Sequence, residues 1–148
     1  MNANYLISNI GPHVYVKGST EAVCMYKKAF NLDDKGGTDV DKDGDIYHRV
    51  LSLNGKYFIS VSEDKYMHDG LKKNYSENIR PNMVFTVAMK NEDDLKKAYH
   101  ILVEGGISCN GLIIEPGTKL YCDVFDKFGV LWCLYVPINW DDFFIPNE

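Results

Sequence analysis

Four histidines, four cysteines and one run of spaced aspartates are the side chains here whose types and spacing could do chemistry. His13 opens an alternating run, PHVYVKG, and His48 lies in another, IYHRVLSL. An imidazole so placed can ligate a metal, carry a proton or hydrogen-bond a bound molecule. His13 is read as lining a cavity, and His48 as either a structural hydrogen-bonding residue or a contact to substrate. His68 falls in a polar stretch and His100 on a helix, and both are read as solvent-facing. Asp39-x-Asp41-x-Asp43-Gly44 matches the opening of a calcium-binding loop, whose alternate carboxylates converge on the ion. Its closing position is Val50 instead of a bidentate glutamate, so the run is read as a solvated hairpin tip. Cys24, Cys109, Cys122 and Cys133 show no Cys-x-x-Cys spacing and are expected to be reduced, buried thiols. Cys133 sits between Trp132 and Leu134 with no basic neighbour, which suits packing or ligand contact better than nucleophilic attack. No catalytic-triad spacing, phosphate-binding glycine loop or redox pair is present.

The elements that must position these groups are read from periodicity. The clearest is Tyr121–Pro137, where Asp126-Lys127-Phe128-Gly129 forms a turn and VLWCLYV forms a central strand, apolar on both sides. Alternation puts Val130, Trp132, Leu134 and Val136 on one side and Leu131, Cys133 and Tyr135 on the other. Earlier in the chain, PHVYVKG predicts a half-buried strand, and Ser19 or Thr20 is expected to cap a helix with the stripe Ala22, Met25, Tyr26, Ala29 and Phe30. After the polar, glycine-rich DDKGGTDVDKDGD, IYHRVLSL and KYFISVS flank Asn54-Gly55, the strongest short hairpin signal. The segment from Glu63 to Pro81 lacks a period and is expected to be a mobile linker. Beyond it the order repeats: NMVFTVAM, a helix capped by Asn91 with the stripe Leu95, Ala98, Tyr99 and Leu102, then three strands. The halves share element order without evident sequence identity.

A chain of 148 residues suits one domain, burying roughly 68–70% of its unfolded surface. The net charge of -5 is spread along the chain and its lysine pairs form no stripe, so nucleic acid is not an expected partner. No apolar run is long enough to span a bilayer and no leader is apparent, so a cytoplasmic protein with no membrane partner is expected.

Two βαβββ units in tandem, with PHVYVKGSTEAVCMYKKAF, IYHRVLSLNGK and YCDVFDKFGVLWCL, resemble the vicinal oxygen chelate superfamily of glyoxalase, bleomycin resistance and extradiol dioxygenase proteins, and most closely its PhnB-like branch. Cys122 and Lys127 stand where that branch usually has glycine and proline. The resemblance implies an α+β fold in which two tandem βαβββ modules form a curled mixed sheet around a cleft. It implies a single domain over 1–148, with module one at about 11–63, a linker at 64–81, module two at about 82–137 and a tail at 138–148. The superfamily's four metal positions fall on His13, Ser60, Asn82 and Cys133, and serine and asparagine replace a lost glutamate poorly. The expectation is therefore a small-molecule-binding protein of the bleomycin resistance type, with no cofactor and no catalytic divalent metal. The alternative is a metal-dependent lyase, isomerase or dioxygenase. Ligand-lining residues are expected to be His13, Tyr15, His48, Phe58 and Ser60 from module one, with Asn82, Thr86, Cys133 and Tyr135 from module two. A homodimer is expected, both from the resemblance and because Trp140, Phe143, Phe144 and Ile145 need cover.

Overall fold

The structure, a computed structural model, describes residues 10–67 and 83–139. Within those ranges the backbone falls into two compact units, one holding 10–27 and 31–67 and the other 28–30 and 83–139. The tail aromatics from Trp140 onward, His68, Asn82 and most of the expected linker lie outside the described residues.

The first unit builds a four-stranded sheet from β1 (His13–Val16), β2 (Asp33–Gly37), β3 (Arg49–Leu53) and β4 (Lys56–Glu63), in the order β1-β4-β3-β2. β1 runs parallel to β4, and β3 pairs antiparallel with both β2 and β4. The Asn54-Gly55 turn takes positive φ at both residues, as a tight hairpin requires, and joins Leu53 to Lys56. Val14, Val16, Leu51, Ile59 and Val61 fill the buried face. Helix α1 (Ser19–Phe30) buries the expected stripe and ends at Asn31 in the left-handed region.

Four expectations need correction in this unit. The helix is not capped by Ser19 or Thr20, since α1 starts at Ser19 behind Gly18, with no side-chain cap from that position. The Glu63 carboxylate instead accepts from Gly18 N at 3.0 Å and Ser19 N at 2.8 Å, satisfying amides the helix leaves open. The polar stretch after α1 is not wholly loop, because Asp33–Gly37 is an edge strand. Paired on one side only, it needs no apolar alternation. The strand expected over IYHRVLSL is shorter than that run and begins at Arg49, leaving His48 just outside it. The expected linker begins as a 3₁₀ turn, Asp64–Tyr66, whose side chains bind the aspartate loop.

The second unit repeats the plan with β5 (Phe85–Ala88), helix α2 (Glu92–Val103), β6 (Ile107–Ile113), β7 (Thr118–Phe125) and β8 (Leu131–Pro137), in the order β5-β8-β7-β6. β8 pairs parallel with β5 and antiparallel with β7. The Asn91 side chain caps α2, accepting from Asp94 N at 2.8 Å, and Leu95, Ala98 and Leu102 are fully buried against the sheet. Cys122 and Cys133 are buried as expected, whereas Cys24 and Cys109 are exposed: Cys24 lies off the apolar stripe of α1, and Cys109 lies on an edge strand.

The β7–β8 turn is organised by the buried Asp126. One carboxylate oxygen accepts from Phe128 N at 2.9 Å and Val130 N at 3.0 Å, and the other from the Trp132 indole N–H at 2.9 Å. Removing such a carboxylate strands three donors, at least two of them buried, and each orphan costs roughly 1–3 kcal/mol. Asp126→Ala is therefore expected to lower unfolding free energy by about 3 kcal/mol in urea denaturation, whereas Asp39→Ala on the exposed loop stays within about 0.5 kcal/mol. Equal stability of the two variants would refute this role for Asp126.

Candidate functional site

In the first unit, strand register gathers polar groups on the face opposite the buried one. The parallel pairing sets His13 beside Ser60 and Tyr15 beside Ser62, and the antiparallel pairing sets Val50 beside Ser60. The His13 and Tyr15 rings stack at 4.5 Å, and His48 meets His13 edge-on at 5.3 Å. His13 Nε2 and the Ser62 hydroxyl form a 2.7 Å hydrogen bond. A bulge between Leu51 and Ser52 breaks the β3–β4 alternation and re-aims Tyr57 toward Ser60. The Tyr57 hydroxyl lies 2.5 Å from Pro12 O and 2.7 Å from Ser60 Oγ.

Thr38, just past the end of β2, holds His48 in place through its backbone and its hydroxyl. His48 N donates to Thr38 Oγ1 at 3.1 Å, and His48 O accepts from Thr38 N at 2.9 Å. Gly37, at φ +146°, allows this approach, because a Cβ there would lie 2.1 Å from His48 O. On the other side, Ile46 N donates to the Ser19 hydroxyl at 2.9 Å, and Glu63 N donates to Ile46 O at 2.8 Å. The Glu63 carboxyl is pushed up by burial, but the Ser19 amide and hydroxyl and the Gly18 amide prevail and hold it below its usual range. A charged Glu63 thus ties the helix start and the segment ahead of His48 to one strand end.

The second unit carries its own polar face. Thr86 pairs with Cys133, which faces Asp123 across β7, and Tyr121 lies opposite Tyr135. The Tyr121 hydroxyl lies 3.0 and 2.9 Å from the two oxygens of Asp123, and Asn110 Nδ2 donates to Asp123 at 2.9 Å. The Cys133 thiol meets Tyr121, Asp123 and Thr86. Burial pushes this thiol up, and the Asp123 charge adds to that, so it is no ready nucleophile. Burial likewise raises the Cys122 thiol to about 12 and pushes the Tyr121 and Tyr135 phenols upward.

Of the expected lining residues, His13, Tyr15, His48 and Ser60 belong to the first unit's polar face, and Thr86, Cys133 and Tyr135 to the second's, while Phe58 falls at the β4 bulge. Asn82 lies outside the described residues. The missed participants are Ser62 and Tyr57 in one unit and Tyr121, Asp123 and Asn110 in the other. Ser62 and Asp123 were accessible in principle, since each sits two residues from another polar residue in an alternating strand.

The described residues at the superfamily's metal positions do not fit a hard divalent cation. His13 Nε2 is hydrogen-bonded to Ser62, Ser60 Oγ is bonded to Tyr57, and the Cys133 thiol resists ionisation. The aspartate loop does not fit one either. Asp41, Asp43 and Asp45 converge, but Lys65 Nζ lies 2.6, 3.5 and 2.6 Å from their carboxylates, where a cation would sit.

No family model and no curated protein matches the sequence. Solved structures do match. The PhnB protein from Bacillus cereus is similar at a TM-score of 0.68 and 24% identity, over 86% of this chain and 98% of that one. A glyoxalase-related enzyme from Fulvimarina pelagi is similar at 0.62 and 12%, over 91% and 95%. A glyoxalase/bleomycin resistance protein/dioxygenase family enzyme from Burkholderia phytofirmans PsJN is similar at 0.59 and 9%, over 86% and 97%. At these identities the likeness is one of fold.

Burial first, and the neighbouring His48 second, hold the His13 imidazole below its ordinary value of 6.5. His13 is thus neutral at pH 7 and protonates only on further acidification. Proton NMR titration is expected to give a His13 midpoint below 6.5, and His48→Gln is expected to raise that midpoint without restoring the ordinary value. A midpoint at or above 6.5 in the unaltered protein would contradict this.

Proposed function

We propose that this chain, whose two units carry the fold of the glyoxalase/bleomycin resistance/dioxygenase proteins, binds a small, partly apolar molecule without using a catalytic divalent metal. The observation that supports it is a polar, aromatic-studded face in each unit whose would-be ligand atoms are engaged with other protein groups. In this reading His13, Tyr15, His48, Phe58 and Ser60 are the ligand contacts of the first unit's face, and Thr86, Cys133 and Tyr135 those of the second unit's own face. The rings supply apolar contact, and the neutral imidazole and hydroxyls fix orientation. A thermal-shift screen over metabolites and antibiotics tests this directly, since a ligand at a hundredfold excess over its Kd stabilises by about 2.7 kcal/mol. The expected companion result is substoichiometric nickel, zinc and iron in protein purified without chelator, and no turnover of methylglyoxal hemithioacetal or a catechol when those metals are added. Stoichiometric metal lost in His13→Ala would establish the metal-dependent lyase, isomerase or dioxygenase instead.

A homodimer belongs to the same proposal. β6 is an edge strand that leaves Ile107 65% and Ile113 36% exposed, with Ile114 just past its end at 77%, the kind of apolar edge a second copy covers. Sedimentation at micromolar concentration is expected to give a species of twice the chain mass, and a single species near 16.9 kDa would remove the dimer.

A further inference from the structure

Asp123 stands apart from the other carboxylates that the two sheets enclose or fix. Asp34 is paired with Arg49 at 2.9 Å, and Asp41 and Asp45 with Lys65. Glu63 and Asp126 collect backbone amides. Asp123 is half-buried, yet its partners are the Tyr121 hydroxyl, the Asn110 amide and the Cys133 thiol, all uncharged. No ion pair to it exists among the described residues.

A carboxylate removed from water is costly unless a charge or several strong donors replace the lost hydration. It has about four lone-pair directions, and hydrogen bonds from Asn110, Tyr121 and the Cys133 thiol still leave capacity for about one further donor. What surrounds it suits a positive donor. Tyr121 and Tyr135 stand opposite each other on the same face, offering the aromatic surfaces to which cations are drawn, and Thr86 beside Cys133 adds a hydroxyl. An anionic ligand would meet like-charge repulsion there, with no described cation to offset it.

We propose that Asp123 anchors a protonated amine of the ligand, with Tyr121 and Asn110 orienting the carboxylate; this rests on the small-molecule-binding function proposed above. The ligand class is then an amine with an apolar body, and not a carboxylate or phosphate ester. Asp123 gives a charge-assisted hydrogen bond to the ammonium group, and the two tyrosines flank its carbon stem.

Three probes of matched shape test the charge: phenethylamine, 2-phenylethanol and phenylacetate, titrated into the full ¹⁵N-labelled chain by NMR. Phenethylamine is expected to bind about tenfold more tightly than the alcohol, the low end for a hydrogen bond to a charged group, with shifts at 121–123 and 133–135. Asp123→Asn is expected to erase that preference of amine over alcohol, the dispersion of its spectrum confirming the fold. On the unaltered protein, raising sodium chloride from about 0.05 to about 0.5 M is expected to weaken the amine alone, a readout that needs no variant. Equal affinities for amine and alcohol, or tighter binding of phenylacetate, overturn the amine anchor and leave the wider binding function standing. Absence of amine binding overturns the anchor too, and the metabolite screen then decides the wider function separately.

Discussion

Everything on the two polar faces depends on one pairing made twice, in which the last strand of a unit inserts beside its first and runs parallel to it. That pairing sets His13 next to Ser60 and Thr86 next to Cys133. A one-residue slip would move every one of these side chains to the opposite face, so the register has to be pinned. In the first unit the pin is Ser60 N donating to Pro12 O at 3.0 Å, with the Tyr57 hydroxyl on the same carbonyl. In the second, β8 is hydrogen-bonded on both edges and buries Trp132, Leu134 and Val136 on one face, a pattern a slipped strand could not satisfy.

Carboxylates do the remaining structural work, and their surroundings separate their roles. Glu63 and Asp126 each replace a hydration shell with amide donors. The first thereby ties a helix start to a strand end, and the second closes a hairpin. In the aspartate loop, Asp41 Oδ1 accepts from the amides of Asp43 and Asp45, and Lys65 bridges the outer oxygens. The lysine and Tyr66 hold the Asp41 carboxyl well below its usual range, and the aspartates raise Lys65 in return. Exposed as it is, that cluster orders a loop without lending the fold much stability. Asp123 fits none of these patterns, its partners being a hydroxyl, a side-chain amide and a thiol.

Much of the fold was legible because its signals are local. Asn54-Gly55 demands a tight hairpin whatever surrounds it, Asn91 caps its helix with its own side chain, and VLWCLYV can only be a strand covered on both faces. β2 was not legible: DDKGG has no apolar period, and it becomes a strand because β3 offers it an edge. The cap on α1 was hidden for a related reason, since Glu63 lies far along the chain from Gly18 and reaches it only once β4 has paired with β1. On the polar faces, alternation set His13 and Tyr15 on one side of β1 and Cys133 and Tyr135 on one side of β8, and the register pairs them with Ser60, Ser62, Asp123 and Tyr121. Tyr121 and Asp123 were not legible as partners of Cys133, because only the β7–β8 register sets Asp123 directly opposite it.

The two faces differ in the charge they can accept, which narrows the chemistry further than the fold does. The first offers a neutral imidazole, stacked on a phenol ring and tied to a buried serine, which can exchange hydrogen bonds with a ligand but holds no fixed charge at pH 7. The second offers a carboxylate among phenols, an amide and a thiol that stays protonated. Neither presents the cluster of ionised donors by which a divalent metal polarises adjacent oxygens and stabilises an enolate. Chemistry of that kind needs negative charge concentrated on ligand atoms free to leave their protein partners. The donors at the described metal positions are instead spent on Ser62 and Tyr57, or held in a protonated thiol.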